Sequence, residues 1–228
     1  MLTLLNLLCG AAAVIFLRWS NPVTTFWLVV AAAVFDFCDG FAARLLHSPS
    51  AIGIELDSLA DMVSFGVVPA AVFVYLYDIS EAWFAWPSWV VAAGYGVPLL
   101  MTAFSALRLA KFNVDDTQHA EFCGLPTPAN ALLCTSLGML VATGYLTLSR
   151  ESIVLVSVVA AFLLISPVRM FSLKFAGFGW RGNGLRYVFL ALSVCIVFAA
   201  RAYSVTAIIV LYIVISFVRW VLLSAKSA

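Results

Sequence analysis

Four aspartates set the chemistry that this chain can do. They lie in the stretch Asp36-Phe37-Cys38-Asp39-Gly40-Phe41-Ala42-Ala43-Arg44 and, after a short break, in Gly53-Ile54-Glu55-Leu56-Asp57-Ser58-Leu59-Ala60-Asp61. On a helix, Asp36 and Asp39 are i and i+3 and Asp57 and Asp61 are i and i+4, so each pair projects from a single face. If two such helices run antiparallel around a loop near His47 to Ala51, the acidic faces meet. Carboxylates brought together in apolar surroundings need a cation. An oxygen-only ligand set suits hard divalent ions, Mg2+, Mn2+ or Ca2+, and leaves coordination positions open for phosphate oxygens. Ions held in that way can clamp a diphosphate and neutralise charge as the bond to a leaving phosphate breaks. One aspartate could serve as general base for an attacking hydroxyl. The residues by themselves lead as far as a metal-dependent phosphoryl or phosphatidyl transferase.

The elements that must position these groups are membrane helices. Of 228 residues, 64% are hydrophobic and 10% charged, and the mean hydropathy is +1.10, whereas a soluble domain is about 45–50% apolar and about 25% charged. With about 20 apolar residues per span, the length allows eight spans as one membrane domain, residues 1–228, and no separate soluble domain. The net charge of +1 argues against a nucleic-acid partner. Cys9, Cys38, Cys123, Cys134 and Cys195 form no CxxC pair and read as small core hydrophobes. The first apolar stretch lacks a basic n-region and reads as a retained helix, not a signal peptide.

The expected helices run from about Leu2 to Leu17, Pro22 to Leu46, Gly53 to Tyr77, Trp89 to Lys111, Thr127 to Leu148, from a tight Ser149-Arg150-Glu151 turn to near Arg169, Tyr187 to Ala200 and Tyr203 to Leu223. Thr127 and Pro128 read as N-cap and N1 of the fifth. Asn6 sits in the first helix and Ser64 on the aspartate face of the third, at i+7 from Asp57; Arg108 and Lys111 close the fourth. Eight spans place Arg44, Arg108, Lys111, Arg169, Lys174, Arg181, Arg186, Arg219 and Lys226 on one side and Arg18, Arg150 and Arg201 on the other. The positive-inside rule makes the first side cytoplasmic, and with it the acidic cluster.

Asp36-x2-Asp39-Gly40-x2-Ala43-Arg44-x8-Gly53-x3-Asp57-x3-Asp61 resembles, without a departure, the signature of the CDP-alcohol phosphotransferase family. ELDSLADMVSFG from Glu55, SALRLAKFN from Ser105 and GLPTPAN from Gly124 are similar to its bacterial and archaeal integral-membrane phosphatidylserine synthase branch. The resemblance implies an all-α polytopic protein: a six-helix catalytic core over about 1–170 and two further helices at about 185–223, working as a homodimer in the prokaryotic inner membrane. It implies transfer of a phosphatidyl group from CDP-diacylglycerol to L-serine with release of CMP. Asp36, Asp39, Asp57 and Asp61 then correspond to ligands of two divalent cations, Mg2+ or Mn2+, with Asp61 also the base. Asn6, Gly40, Ala43, Arg44 and Gly53 correspond to the CDP-lipid site. Family members often carry a segment before the first helix, where this sequence begins almost within it.

A serine acceptor needs a cation for its carboxylate, and Arg108 is the candidate, with Lys111 and Ser64 beside it. Two alternatives stay open at this stage. One is a synthase of the same family with a phosphorylated acceptor, glycerol phosphate or inositol phosphate, for which several convergent basic residues would be needed. The other is a divalent-cation transporter, which would also bury acidic side chains in helices, against which stands the clustering of the acids at one membrane face.

Overall fold

The computed structural model describes residues 1–45, 51–114, 122–171, 179 and 183–224, without the side chains at 43, 44, 51 and 122. The acidic loop around Asp115, Asp116, His119 and Glu121, the His47 turn and most of the basic segment between Phe171 and Arg186 therefore lie outside the described residues.

The chain forms a helical bundle: α1 (Leu2–Arg18), α2 (Pro22–Leu45), α3 (Ala51–Asp61), a π-helical stretch (Met62–Val67), α4 (Val68–Ile79), α5 (Ser88–Gly94), α6 (Leu99–Val114), α7 (Thr127–Ala142), α8 (Arg150–Ile165), α9 (Gly184–Ala200) and α10 (Ser204–Ser224). Pro22–Ala42, Ile52–Ile79, Ser88–Val114 and Gly184–Ser224 are long and apolar enough to cross a membrane, and shorter apolar helices, Leu2–Arg18 and Thr127–Ala142, pack among them. This is an all-α integral membrane protein. Its outer surface is apolar, with Trp27, Phe37, Leu155 and Phe198 exposed. Its interior joins are small or weakly polar: Ala13, Ala32, Ala60, Ser64 and Ala131 are buried, as expected where helices associate by close backbone approach and not by excluding water. One close join is between α1 and the π stretch, where a Cβ at Gly10 would stand 2.8 Å from the Ser64 Cα.

Prolines and one glycine account for most departures from the expected helices. The fourth is not continuous: Tyr95–Pro98 form a turn held by three-residue bonds such as Gly96 N–H to the Ala93 carbonyl (2.9 Å) and Met101 N–H to the Pro98 carbonyl (3.1 Å). Pro98 has no N–H, and its ring excludes the carbonyl of Gly94. The third helix widens into the π stretch after Asp61. Pro69 imposes the same conflict on the Phe65 carbonyl, and the wider turn relieves it; Thr102 Oγ1 supports that turn by donating to the Gly66 carbonyl (3.0 Å). The fifth helix stops at Ala142, not Leu148, because Gly144 takes φ +75° and reverses the chain, with Tyr145 N–H bonded to the Leu140 carbonyl. At its start Pro126 is the N-cap, so Thr127 and Pro128 are already helical and Thr127 does not cap. The sixth ends at Ile165 instead of Arg169, since Pro167 turns Ser166 to an extended conformation. Beyond it comes an element that helical periodicity does not predict. β1 (Phe122–Cys123) pairs antiparallel with β2 (Arg169–Met170), Cys123 opposite Arg169.

Candidate active site

The carboxylates converge at one end of the bundle. Asp36 on α2 and Asp57 and Asp61 on α3 have oxygen atoms within 4.8 Å of one another. Asp36 and Asp57 are half-buried, and Asp61 is buried at 9% exposure. The fourth aspartate stands beside them, close enough to act electrostatically on Asp36 and Asp57, but its Oδ2 accepts the hydroxyl of Thr3. Three anionic groups at this distance repel strongly in apolar surroundings, and with no nitrogen or sulfur ligand among them they form a hard-oxygen set of the kind Mg2+ and Mn2+ take.

Helix α1 braces this group from behind. Asn6 is fully buried, and its Nδ2 donates to Asp61 Oδ1 at 2.9 Å. One residue later in space, Ser64 Oγ donates to the Asn6 carbonyl (2.9 Å), so this hydroxyl clasps α1 to the π stretch and is itself fully buried. Asn6 Oδ1 is buried with no hydrogen-bond partner among the described residues. An unpaired buried acceptor beside the carboxylates is an opening for a ligand's donor. Thr3 on Asp39 and Asn6 on Asp61, one turn apart on α1, thus tie one carboxylate from each acidic pair to the same helix. The sequence places Thr3 at the start of α1 without a role, and its link to Asp39 crosses 36 residues. A second brace joins Asn113 Nδ2, at the end of α6, to Ser58 Oγ (2.8 Å), next to Asp57.

On the side of the CDP signature, Gly40 is exposed with open space where a Cβ would be, which leaves that face of α2 accessible to a flat ligand. Gly53 lies near the start of α3, and Ala43 and Arg44 continue α2 toward its end. Arg108 stands on α6 where it interacts electrostatically with Tyr212 and Asp61. Its Nε is buried without a partner among the described residues. It lines a cavity of about 300 Å³ together with Lys111, Cys123 and the Leu164–Pro167 turn. Lys111 is exposed at the rim. Two contacts from parts far apart in sequence lie next to these lining residues along the chain or through Arg108. Gly124 N–H bonds the Val168 carbonyl (3.0 Å), and Tyr212 on α10 donates its hydroxyl to the Phe171 carbonyl (3.0 Å) at the end of β2. Tyr212 carries no sequence signal that separates it from the other apolar positions of its helix.

A model of the CDP-alcohol phosphatidyltransferase family matches residues 1–166. The chain belongs to that family. A Helicobacter pylori protein named CDP-diacylglycerol–serine O-phosphatidyltransferase is 30% identical over 228 residues, 97% of this chain and 90% of the relative. Proteins with the same name are 40% identical over 139 residues in Mycobacterium bovis (58% of this chain, 45% of the relative) and 33% identical over 167 residues in Methanocaldococcus jannaschii (73% and 70%). The described carboxylates, Asn6, Gly40, Gly53 and Arg108 all fall inside the family-matched stretch; Tyr212 falls outside it.

Proposed function

We propose that this protein is a phosphatidylserine synthase that transfers the phosphatidyl group of CDP-diacylglycerol to the hydroxyl of L-serine and releases CMP. Its carrying observation is the Asp36–Asp57–Asp61 group set beside a cavity whose innermost cation is Arg108, in a chain whose relatives bear that activity's name. In this reading the carboxylates, with Asp39, hold two Mg2+ or Mn2+ ions, which when bound supply charge neutralisation for the diphosphate of the CDP-lipid.

The chain's own residues do the rest. Gly40 lets the nucleotide approach α2, with Ala43, Arg44 and Gly53 beside it, and Asn6 Oδ1 offers a buried acceptor at the same place. Arg108 takes the serine carboxylate with its planar fork, Lys111 adds positive charge at the rim, and Ser64 acts one step back by holding the α1 junction. Asp61, oriented by Asn6, accepts the proton of the serine hydroxyl. The hydroxyl oxygen forms a bond to the lipid-side phosphorus while the bond from that phosphorus to the CMP oxygen breaks, and CMP departs with the electron pair. An acceptor that itself bears a phosphate would call for several convergent basic side chains, and Arg108 and Lys111 are the basic residues lining the described cavity. The basic-residue asymmetry supports an active site at the cytoplasmic face of the inner membrane, and the family resemblance supports a homodimer.

The test is CMP release by purified protein from CDP-diacylglycerol, with L-serine, glycerol 3-phosphate and inositol phosphate compared as acceptors. Serine is expected to be the fastest. Faster use of a phosphorylated acceptor, or divalent-cation flux into liposomes without any CDP-lipid turnover, overturns the assignment.

A further inference from the structure

Thr3 is buried near the start of α1, and its hydroxyl donates to Asp39 Oδ2. Such a bond fastens α1 to α2, but other contacts already do so. Thr25 Oγ1 on α2 donates to the Ala13 carbonyl (3.0 Å), and Ser64 Oγ on the π stretch donates to the Asn6 carbonyl (2.9 Å). Helix α1 is therefore clasped from two sides without Thr3. What the Thr3 bond fixes in addition is the direction of one carboxylate.

The four acids are not equivalent. Asp36, Asp57 and Asp61 form one close group, and Asp39 stands outside it. Asp39 nevertheless acts electrostatically on Asp36 and Asp57. Asp36 and Asp57 are thus shared: each neighbours Asp61 in the close group and Asp39 beyond it. Two divalent ions on these acids are held unequally. The close group offers three carboxylates to one ion, while the other relies on Asp39 and on what Asp36 and Asp57 can share. Affinity for a hard cation rises with the charge count of its ligands, so the Asp39 position is the weaker.

A threonine suits that position. A carboxylate presents about four lone-pair sites, and one hydroxyl occupies one of them, which leaves Asp39 its full negative charge and its other sites for a cation. A lysine or arginine in the same place would neutralise the acid. Hydrogen-bond partners of ligating carboxylates fix their direction, and losing one typically costs about 10- to 100-fold in metal affinity. We propose that Thr3 is a positioning residue for the weaker of two cation positions, its hydroxyl setting Asp39 as the ligand that completes it, while Asn6, one turn along the same helix, orients Asp61 in the stronger. The inference rests on the reading that the carboxylates hold two divalent ions, and it is independent of which acceptor is used.

The test titrates the full-length protein in detergent with Mn2+, without substrate, and reads free Mn2+ by its electron paramagnetic resonance signal, with a thermal melt of each variant. Wild type is expected to bind two ions, one more weakly. Thr3→Val keeps the shape of the side chain without its hydroxyl; it should weaken the weaker class at least about tenfold and leave the stronger within about twofold. Thr3→Ser, which keeps the hydroxyl, should bind as wild type does, and Asp39→Asn should lose the weaker class. The inference is overturned if Thr3→Val binds both ions as wild type does, if it binds the weaker one more tightly, or if Asp39→Asn keeps both classes. It is overturned as well if both classes weaken together in Thr3→Val, the sign of a displaced α1 that also releases Asn6 from Asp61. Should Thr3→Val fold poorly, Thr3→Ala removes the same hydroxyl without adding bulk and is read in the same way. A wild type that binds a single ion, or two with equal affinity, is a different failure: the first removes the two-cation reading and this inference with it, the second this inference alone.

Discussion

Replacing Asn6 by alanine separates the chemistry of Asp61 from its mere presence. The Asn6 amide is fully buried and donates to Asp61 Oδ1 over 2.9 Å, with no other side-chain donor to Asp61 among the described residues. A hydrogen bond to a charged group contributes about 1.5–3 kcal/mol, and about 1.4 kcal/mol corresponds to tenfold. If that bond holds the carboxylate in the geometry for accepting the hydroxyl proton, kcat for CMP release should fall about 10- to 140-fold in Asn6→Ala at saturating serine and CDP-diacylglycerol. The matched control is Ser64→Ala, which removes the neighbouring bond to the Asn6 carbonyl. That loss should lower stability by about 1 kcal/mol and lower kcat by less than Asn6→Ala does, because the bond to Asp61 itself remains. The measurement is steady-state CMP release alongside a thermal melt in the same detergent. A folded Asn6→Ala with kcat within twofold of wild type would refute the reasoning, as would a Ser64→Ala that loses as much turnover as Asn6→Ala.

Three further outcomes follow from the same geometry. Excess chelator should abolish turnover and added Mn2+ or Mg2+ restore it, and Asp57→Asn should lose cation binding, read by calorimetry, together with activity; turnover undiminished in chelator contradicts a metal role for the carboxylates. Gly10→Ala should destabilise by about 1–3 kcal/mol, the range for overpacking, and cost activity through Asn6, because its Cβ would stand 2.8 Å from the Ser64 Cα; a normal melt would show that the α1 contact is looser than described. Arg108→Ala should raise the serine KM by at least about tenfold, the loss of a charge-assisted contact, with the CDP-diacylglycerol KM unchanged; a variant at Arg108 that loses affinity for the nucleotide lipid and not for serine would move this cation out of the acceptor site.

What could be read in the sequence was the chemistry that repeats at short range. The i, i+3 and i, i+4 aspartate spacings need only helical geometry to present each pair on one face, and the apolar spans on either side secure the helix, so a meeting of four carboxylates could be anticipated from residues 36–61; the structure groups three of them and sets Asp39 against Thr3. What could not be read were contacts whose partners are remote. Asn6 reaches Asp61 across 55 residues and Ser64 reaches the Asn6 carbonyl across 58, and no local pattern distinguishes an asparagine that orients a base from one that glues helices. The backbone breaks occupy a middle ground. Pro69 and Pro98 are visible, and each was certain to cost a hydrogen bond, but the two resolve the conflict differently: the first by a π widening supported by Thr102, the second by a tight turn. Which outcome follows is set by the packed bundle and not by the proline alone.

The difference matters for the site, because a π turn inserted directly after Asp61 rotates everything beyond it relative to the two aspartates. Ser64 nevertheless stays with the aspartates: it donates to the carbonyl of Asn6, whose side chain donates to Asp61, so both meet α1 at the same residue. The proline that looks like a defect in a membrane helix therefore sits where it lets one rod do two things: present Asp57 and Asp61 to the site at its start, and pack Phe65, Val68, Val72 and Phe73 into the core along the rest of its length.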